Sequence, residues 1–212
     1  MQSSCSAPTA TALEISRGSL DLCRRDLLGG RNAMPNLYLH LGQDQKCYDF
    51  IKWCATEYTR GWEDMSVPFL NSENEDIMEG VSMFCGGRLI APYSLAVALI
   101  KVRMLLDLRE VRASSVLLGV DKINVDILQH IRENMDLRSS IWSRRPDLLS
   151  TKGVSDRIET LEHQTDQLFA AIHKANKYLW RAILGPGDSV PLMDLEGNVE
   201  VASILSLSDG KC

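Results

Sequence analysis

Several signals that usually reveal a protein's chemistry are missing from this sequence. Its six cysteines, at positions 5, 23, 47, 54, 85 and 212, form no C-x-x-C pair. Such wide spacing is typical of reduced intracellular thiols. The opening stretch MQSSCSAPTATALEISRG lacks the basic region and apolar core of a secretory signal. The best apolar run, LIAPYSLAVALI, is interrupted by Pro92 and is shorter than the ~20 residues of a membrane helix. We expect a soluble intracellular protein, cytoplasmic or nuclear, with no membrane partner.

The sequence also has no excess of positive charge, since 23 Lys and Arg residues are outnumbered by 28 Asp and Glu residues. A net charge of −5 gives the chain no general attraction for a polyanion, so we expect no nucleic-acid partner. One local exception is the basic segment RSSIWSRRP, where Trp142 lies among Arg138, Arg144 and Arg145. The segment could contact an acidic partner or stack on single-stranded nucleic acid. The favoured interpretation is an ordinary linker with its tryptophan packed inward.

Recognisable catalytic patterns are absent from the sequence as well. A nucleophile needs a base and an orienting group close by, but His40, His130, His163 and His173 are scattered over predicted helices. The glycines of FCGGRLIAP lack the lysine and spacing of a P-loop, and GPGDS at 185–189 is typical of a helix stop. The acidic stretch NSENEDIMEG lacks the alternation of a calcium loop. We predict no catalytic or cofactor-binding residue and no cofactor.

Two cysteines might suggest a metal site. Cys47 and Cys54 are seven residues apart, which places them on one helix face but separated by two turns, about 10 Å. Zinc–sulfur bonds are near 2.3 Å, so the two thiols cannot both bind one ion without distortion. We predict no metal ligand and interpret both as small buried side chains that pack a hairpin.

The clearest structural signal is the stretch from Pro35 to Thr59. Pro35 suits the first turn of a helix, where its missing N–H costs nothing. Gly42 is placed to end that helix, and Asp44 can cap the next one. The second run has apolar residues at three-, four- and seven-residue intervals. Two helices with so short a link predict an antiparallel αα-hairpin.

Further helical runs follow. The sequence predicts a long ordered loop over residues 60–90, held against the helices by Trp62, Met65, Phe69 and Leu70. Pro92 opens PYSLAVALIKVRMLLDLREV, which is apolar nearly all round and is therefore expected to be central. A short helix from Ala113 to Leu118 is predicted to form a second hairpin with it.

The last two predicted helices carry clear apolar stripes. Asn124 is expected to cap the run VDILQHIRENM. A long helix is predicted from Ser155 to Gly185, with His163, Gln164 and Thr165 facing outward. The fold class is therefore all-α, built from antiparallel helical hairpins.

The predicted domain organisation has three parts. Residues 1–17 are expected to be disordered or frayed, 18–187 to form a single helical domain, and 188–212 to be an irregular tail. Within the domain, Ser19 is expected to cap a first short helix that ends at Gly29 and Gly30.

The hairpins also suggest a repeat architecture. The order of large and small residues in a tetratricopeptide-type hairpin is matched well by Tyr38, Gly42, Cys47, Ile51 and Cys54. A second copy at Met104, Leu108, Ala113, Leu117 and Val120 fits poorly, because Leu108 replaces the turn glycine. Tetratricopeptide-like packing and a generic irregular helical domain both remain open.

Four segments carry a family resemblance: LYLHLGQDQKCYDFIKW, EDMSVPFL, LAVALIKVRMLLDLREV and FAAIHKANKYLWRAIL. They resemble the helical, tetratricopeptide-like region of uncharacterised fungal proteins that carry MYND-type zinc fingers. The resemblance covers about residues 20–187 and implies a family and a helical fold, without a mechanism. The zinc finger itself would need C-x-x-C pairs, which this chain lacks, so zinc binding is carried over to none of its residues.

Three functional hypotheses follow. The leading one is a non-enzymatic interaction module whose hairpins present a groove to a peptide or helix of another protein. The second is an enzyme with a site assembled from non-adjacent helices, where His130 or His173 would meet a carboxylate. The third is a divergent or truncated relative of a zinc-finger protein with no independent activity.

Overall fold

The computed structural model describes residues 6–24, 26, 29–57, 70–86, 91–117, 137–150 and 152–184. All regular secondary structure within these ranges is helical, which confirms the all-α prediction. The predicted helix after Asn124, the GPG stop and the tail 188–212 lie outside the described residues. The helices are α1 (Ser6–Leu22), α2 (Gly30–His40), α3 (Asp44–Glu57), α4 (Ala91–Leu117), α5 (Ile141–Arg144), α6 (Val154–Ala175) and α7 (Leu179–Leu184), with 3₁₀ turns at Ser82–Phe84 and Pro146–Leu149.

The N-terminal helix α1 differs from the sequence-based expectation. Residues 6–17 were predicted to be frayed, yet they are helical, and Ser19 lies inside α1 rather than capping a new helix. Pro8 is tolerated because it falls in the first turn, where a backbone N–H has no helical partner. Leu13 and Leu20 share one face seven residues apart and are both buried. That face packs on α2, which is why the segment is ordered.

The predicted hairpin of α2 and α3 is present, and its turn is a complete Schellman motif. Gly42 adopts the left-handed φ of +62° that favours glycine. Its N–H donates to the carbonyl of Leu39, and the N–H of Gln43 donates to the carbonyl of Tyr38. One detail of the prediction is wrong: α2 begins at Gly30, so Pro35 lies inside the helix and not in its first turn.

Helix α4 is a single continuous helix, so the predicted second hairpin does not exist. The segment from Ala113 to Leu117 continues the same helix instead of turning back. No glycine or proline interrupts residues 109–113, and Leu108, where a turn glycine would be needed, is fully buried within α4. The residues at the expected turn are compatible with a helix, so α4 continues through them without a break.

The long C-terminal helix predicted from Ser155 to Gly185 is divided into α6 and α7. Asn176 has an extended backbone, with φ of −146° and ψ of 96°, and ends α6. Its side-chain oxygen accepts a hydrogen bond from the N–H of Tyr178 (3.0 Å), a local turn that competes with the helix. Phe169 of α6 and Trp180 of α7 stack with ring centroids 4.6 Å apart, which fixes α7 against α6.

The core is organised around α4. Helices α2 and α3 pack against it, α6 packs along it, and α1 lies on α2. Aromatic rings from α2, α3 and α4 meet in the centre: Phe50 lies 6.0 Å from Tyr38 and 6.3 Å from Tyr93. Among the described helices, none combines the length and apolar character needed to cross a bilayer.

Candidate functional site

A cavity of about 400 Å³ opens where α1, α2 and α3 meet the loop of residues 70–86 and the end of α5. We call this loop the docked loop and the cavity the cationic cavity. The volume lies within the ~300–1,000 Å³ that is usual for ligand sites. The cavity is lined by Arg17, Tyr38, Lys46, Asp49, Phe50, Leu70, Ser72, Glu73, Asn74 and Arg144.

One wall of the cavity is a face of α3. Lys46, Asp49 and Phe50 are three and four residues apart, so a helix brings them to the same side. Tyr38 of α2 packs against Phe50. Burial raises the pKa of the Tyr38 phenol, and the positive charge of Arg17 partly opposes this shift. Arg17 of α1 therefore exerts its field on the aromatic wall.

Three cationic side chains reach the cavity from three different helices: Arg17 from α1, Lys46 from α3 and Arg144 from α5. Within the described residues, Arg17 and Lys46 show no hydrogen bond or ion pair. Arg144 makes one long contact, 3.4 Å, from its Nη1 to the side-chain oxygen of Asn74. Most of the hydrogen-bonding capacity of these three groups is therefore left for solvent or a ligand.

The buried carboxylate of Asp49 serves the docked loop. Its Oδ1 accepts hydrogen bonds from Gln45 Nε2 (2.8 Å) and the N–H of Glu75 (3.0 Å), and its Oδ2 accepts one from the N–H of Asn74 (3.0 Å). Burial raises the pKa of Asp49, while these three donors act to lower it. The carboxylate thus fixes the rim of the cavity and is largely committed to the loop.

A second polar network fixes the far end of the docked loop. Gln164 of α6 donates from Nε2 to the carbonyls of Met78 and Glu79, both at 2.9 Å. Its Oε1 accepts from Nζ of Lys101 (2.7 Å), which also donates to the carbonyl of Ile77. Gln164 was predicted to face outward; it is buried because these carbonyls need a donor.

The docked loop also has apolar and ionic contacts with the helices. Ile77, Val81 and Phe84 are completely buried. Lys52 of α3 forms ion pairs with Glu75 (2.6 Å) and Glu79 (2.7 Å). The predicted ordered loop is therefore observed over residues 70–86. Of the apolar residues expected to hold it, Leu70 lines the cavity, and Trp62, Met65 and Phe69 lie outside the described residues.

Two buried aspartates hold the segment that delivers Arg144. Asp44 accepts hydrogen bonds from Ser139 Oγ (2.8 Å) and the N–H of Ser140 (3.1 Å), besides an ion pair with Arg103 (2.9 Å). Asp44 was predicted to cap α3; it is the first residue of that helix, and both carboxylate oxygens serve other elements.

Asp107 of α4 completes this arrangement. It accepts hydrogen bonds from the backbone N–H groups of Arg138 (3.0 Å) and Ser139 (2.9 Å) and from Trp142 Nε1 (2.6 Å). We call Asp44, Asp107 and the groups they bind the aspartate clasp. The clasp fixes residues 138–142 on α3 and α4, and so sets the position of Arg144 two residues further on.

The cysteines considered as metal ligands are buried separately in the core. Burial raises the pKa of the Cys54 thiol to about 12 and that of the Cys47 thiol further still. Cys47 donates from Sγ to the carbonyl of Pro35 at 3.5 Å. In the part of the chain that the structure describes, no three side chains of His, Cys, Asp or Glu are grouped so that they could hold a metal ion.

The histidines considered as bases are on the surface where they are described. His40, His163 and His173 are exposed; His173 stacks on Phe169, with centroids 6.3 Å apart. His130 lies outside the described residues.

The basic segment agrees with one of its two sequence-based interpretations, the linker with its tryptophan packed inward. Trp142 is buried and bonded to Asp107, as the linker interpretation required. Arg138 pairs with Asp107 and Glu110, and Arg145 pairs with Asp147. Arg144 has no such ion pair among the described residues, and it lines the cavity. Arg17 and Lys46 were missed because they are distant from it in sequence and belong to no motif.

No family model, no curated protein and no solved structure matches this chain.

Proposed function

We propose that this chain is a non-enzymatic protein–protein interaction module and that the cationic cavity holds a segment of its partner. The observation that carries the proposal is the cavity itself, about 400 Å³ in volume and lined from α1, α2, α3, the docked loop and α5. The volume is within the range of known ligand sites, and the lining combines three apolar or aromatic residues with a majority of polar and charged side chains.

The walls of the cavity support recognition of a ligand without large rearrangement. Tyr38 and Phe50 are buried core residues, and the rim at Asn74 is bonded to Asp49. Arg144 follows a segment fixed by the aspartate clasp. Preorganised walls reduce the entropy lost on binding, which favours affinity for a short partner segment.

An enzyme would need a base that meets a carboxylate or a nucleophile. Within the described residues, the exposed histidines His40, His163 and His173 form no ion pair with a carboxylate. The buried thiols of Cys47 and Cys54 have raised pKa values, the opposite of what an activated cysteine nucleophile requires. These observations favour binding over acid–base or thiol chemistry.

The proposal extends to family and location. The resemblance of the four segments supports a family, the fungal MYND-type zinc finger proteins, and the widely spaced cysteines support an intracellular location, in the cytoplasm or nucleus. The α2–α3 hairpin, with small Cys47 and Cys54 buried where its helices cross their neighbours, supports a tetratricopeptide-like unit there. The uninterrupted α4 limits that likeness to one hairpin.

A displayed library of random peptides selected on the purified protein tests the proposal. We expect enrichment of related peptides, and at least a tenfold loss of their affinity in Ser72→Trp, which places an indole in the cavity. The matched control is Ser155→Trp, at an exposed position of α6, which should bind as the original protein does. Circular dichroism melts of both variants establish that they fold. An unenriched library, or equal binding by folded Ser72→Trp, would contradict the proposal.

A further inference from the structure

We propose that the partner group held in the cationic cavity is an anion on an apolar stem: an acidic side chain or a phosphorylated one. Its negative charge would lie among Arg17, Lys46 and Arg144, and its stem would lie on Leu70, beside the buried rings of Tyr38 and Phe50. That the anion belongs to a protein partner rests on the proposed function. That the cavity binds an anion rests only on the residues that line the cavity.

What distinguishes these three cations is that they come together at one cavity. Five basic groups elsewhere are matched with carboxylates inside the chain: Arg103 with Asp44, Arg109 with Glu162, Arg138 with Asp107 and Glu110, Arg145 with Asp147, and Lys52 with Glu75 and Glu79. Exposed lysines such as Lys174 and Lys177 have no carboxylate partner among the described residues either, but they do not line this cavity. Arg17, Lys46 and Arg144 have no such carboxylate partner among the described residues, although they line the same cavity. In a chain with a net charge of −5, this local surplus of positive charge is notable.

The two acidic groups that line the cavity cancel this surplus only in part. Asp49 is bonded to Gln45 and to the backbone of Asn74 and Glu75, so its oxygens are occupied. Glu73 is exposed on the loop surface. Three cations therefore face two carboxylates, of which one already has three hydrogen bonds.

The three cationic groups have the chemistry that recognises an anion. Two guanidinium groups offer planar forks that suit a carboxylate or phosphate, and Lys46 adds a mobile point charge. The neighbouring apolar wall of Tyr38, Phe50 and Leu70 excludes water on one side, which strengthens charge–charge attraction. Within this wall Leu70 supplies the accessible apolar surface for a stem, since Tyr38 and Phe50 are only 2% and 1% exposed. Both features fit one side chain that ends in an anion.

A nucleic-acid ligand fits the site less well. Single-stranded nucleic acids are bound by extended basic grooves with exposed aromatic platforms. Here the aromatic ring of the basic segment, Trp142, is buried, and the chain as a whole is acidic. A protein-borne anion is therefore the ligand class that we argue for.

The experiment measures binding of four probes by NMR titration and calorimetry: inorganic phosphate, phenyl phosphate, N-acetylglutamate amide and a ten-nucleotide oligothymidylate. The double variant Arg17→Gln/Arg144→Gln is compared with Lys174→Gln, an exposed cation of α6 outside the cavity. A thermal melt establishes that each variant folds, and Lys46→Gln provides a second, single-site cavity variant.

We expect phenyl phosphate or N-acetylglutamate amide to bind, with at least a tenfold weaker affinity in the double variant and no change in Lys174→Gln. Binding of the glutamate probe alone assigns an acidic side chain, and tighter binding of phenyl phosphate assigns a phosphorylated one. The proposal is overturned if neither of these two probes binds, if the double variant binds equally well, or if the oligothymidylate binds more tightly than both.

These outcomes are separable from those of the peptide library. If selected peptides lack acidic residues and bind the double variant normally, the anion site is wrong and the interaction module stands. If the small anions bind in the cavity and the library yields nothing, the anion site stands and the interaction module is wrong.

Discussion

The aspartate clasp and the cationic cavity are neighbouring regions that use charge in opposite ways. In the clasp, the carboxylates of Asp44 and Asp107 are completely removed from solvent, and each accepts several hydrogen bonds from the segment 138–142. In the cavity, Arg17 and Lys46 have no partner within the described residues. The chain between the two regions is short, since Arg144 follows Trp142 by two residues.

The charged groups of the clasp stabilise the fold, whereas the charged groups of the cavity are available to bind a ligand. A buried carboxylate without partners would be strongly destabilising, so Asp107 depends on its donors and they depend on it. A solvated arginine contributes little to stability whether it is paired or not. The two sets should therefore respond differently to substitution.

The largest effect is expected for Asp107→Ala. The change removes the acceptor of Trp142 Nε1 and of two backbone N–H groups and leaves Arg138 without its buried partner. We expect a loss of roughly 3–5 kcal/mol in the free energy of unfolding, measured by urea denaturation, because three buried or partly buried donors lose their acceptor at about 1–3 kcal/mol each. The matched control, Asp147→Ala, breaks the exposed ion pair with Arg145 and should change stability by less than about 0.5 kcal/mol. Similar values for the two variants would show that the clasp is not structural.

A smaller effect is expected for Gln164→Ala. The substitution leaves the carbonyls of Met78 and Glu79 and Nζ of Lys101 without this partner, at a cost of about 1–3 kcal/mol. Hydrogen exchange should show faster exchange in residues 70–86. Gln167→Ala is the matched control, because Gln167 is exposed on the same helix and contacts only the exposed His163 among the described residues. Unchanged exchange of the loop in Gln164→Ala would contradict its assigned role.

The next effect concerns pH and Lys101. Burial lowers the pKa of Lys101 to about 8 in the folded protein, from 10.5 as its ordinary value, although Asp76 and Glu79 act to raise it. Between these two pH values the folded state binds fewer protons than the unfolded state, so the contribution of Lys101 to stability rises with pH. From pH 8 to pH 9 the original protein should gain about 1 kcal/mol relative to Lys101→Met. A pH-independent difference between the two unfolding curves would exclude this titration.

The smallest effect on stability is expected in the cavity. Arg144→Gln should change the free energy of unfolding by less than about 0.5 kcal/mol, because its one contact, to Asn74, is long and exposed. The measurement is the same urea titration that is used for Asp107→Ala. A loss above about 2 kcal/mol would mean that Arg144 belongs with the clasp and not with the ligand site.

Elements with local signals were predictable from the sequence. The α2–α3 hairpin follows from two local signals. Gly42 favours the left-handed backbone that ends α2, and α3 has apolar residues at helical spacing. Helix α4 was correctly placed at the centre because it is apolar nearly all round. The apolar stripe predicted for the last helix was Ile158, Leu161, Leu168, Ile172, Leu179 and Ile183. The first four residues are buried, whereas Leu179 is half-buried and Ile183 is exposed, beyond the end of α6 at Ala175.

Features that depend on distant partners were not predictable. Gln164 looked solvent-exposed because only apolar residues were assigned to the inner face, yet the loop carbonyls that it satisfies are about 85 residues away in sequence. Nothing near Lys101 and Asp107 in the sequence indicates the partners with which they are buried. A charged residue on a central helix is either buried with partners or excluded from the core, and the helix alone does not decide between the two. The cavity has no comparable signal, since its cations come from three separate segments.

The clasp also has a consequence for the order of folding. Asp44 accepts hydrogen bonds from Ser139 and Ser140, which are 95 and 96 residues away along the chain. Closing so long a loop costs conformational entropy before the contact returns any stability, so such contacts form late. The α2–α3 hairpin, whose contacts are local, can form before it. Arg144 therefore reaches the cavity only after the long-range closure, and binding competence should appear as one of the last events on the folding pathway.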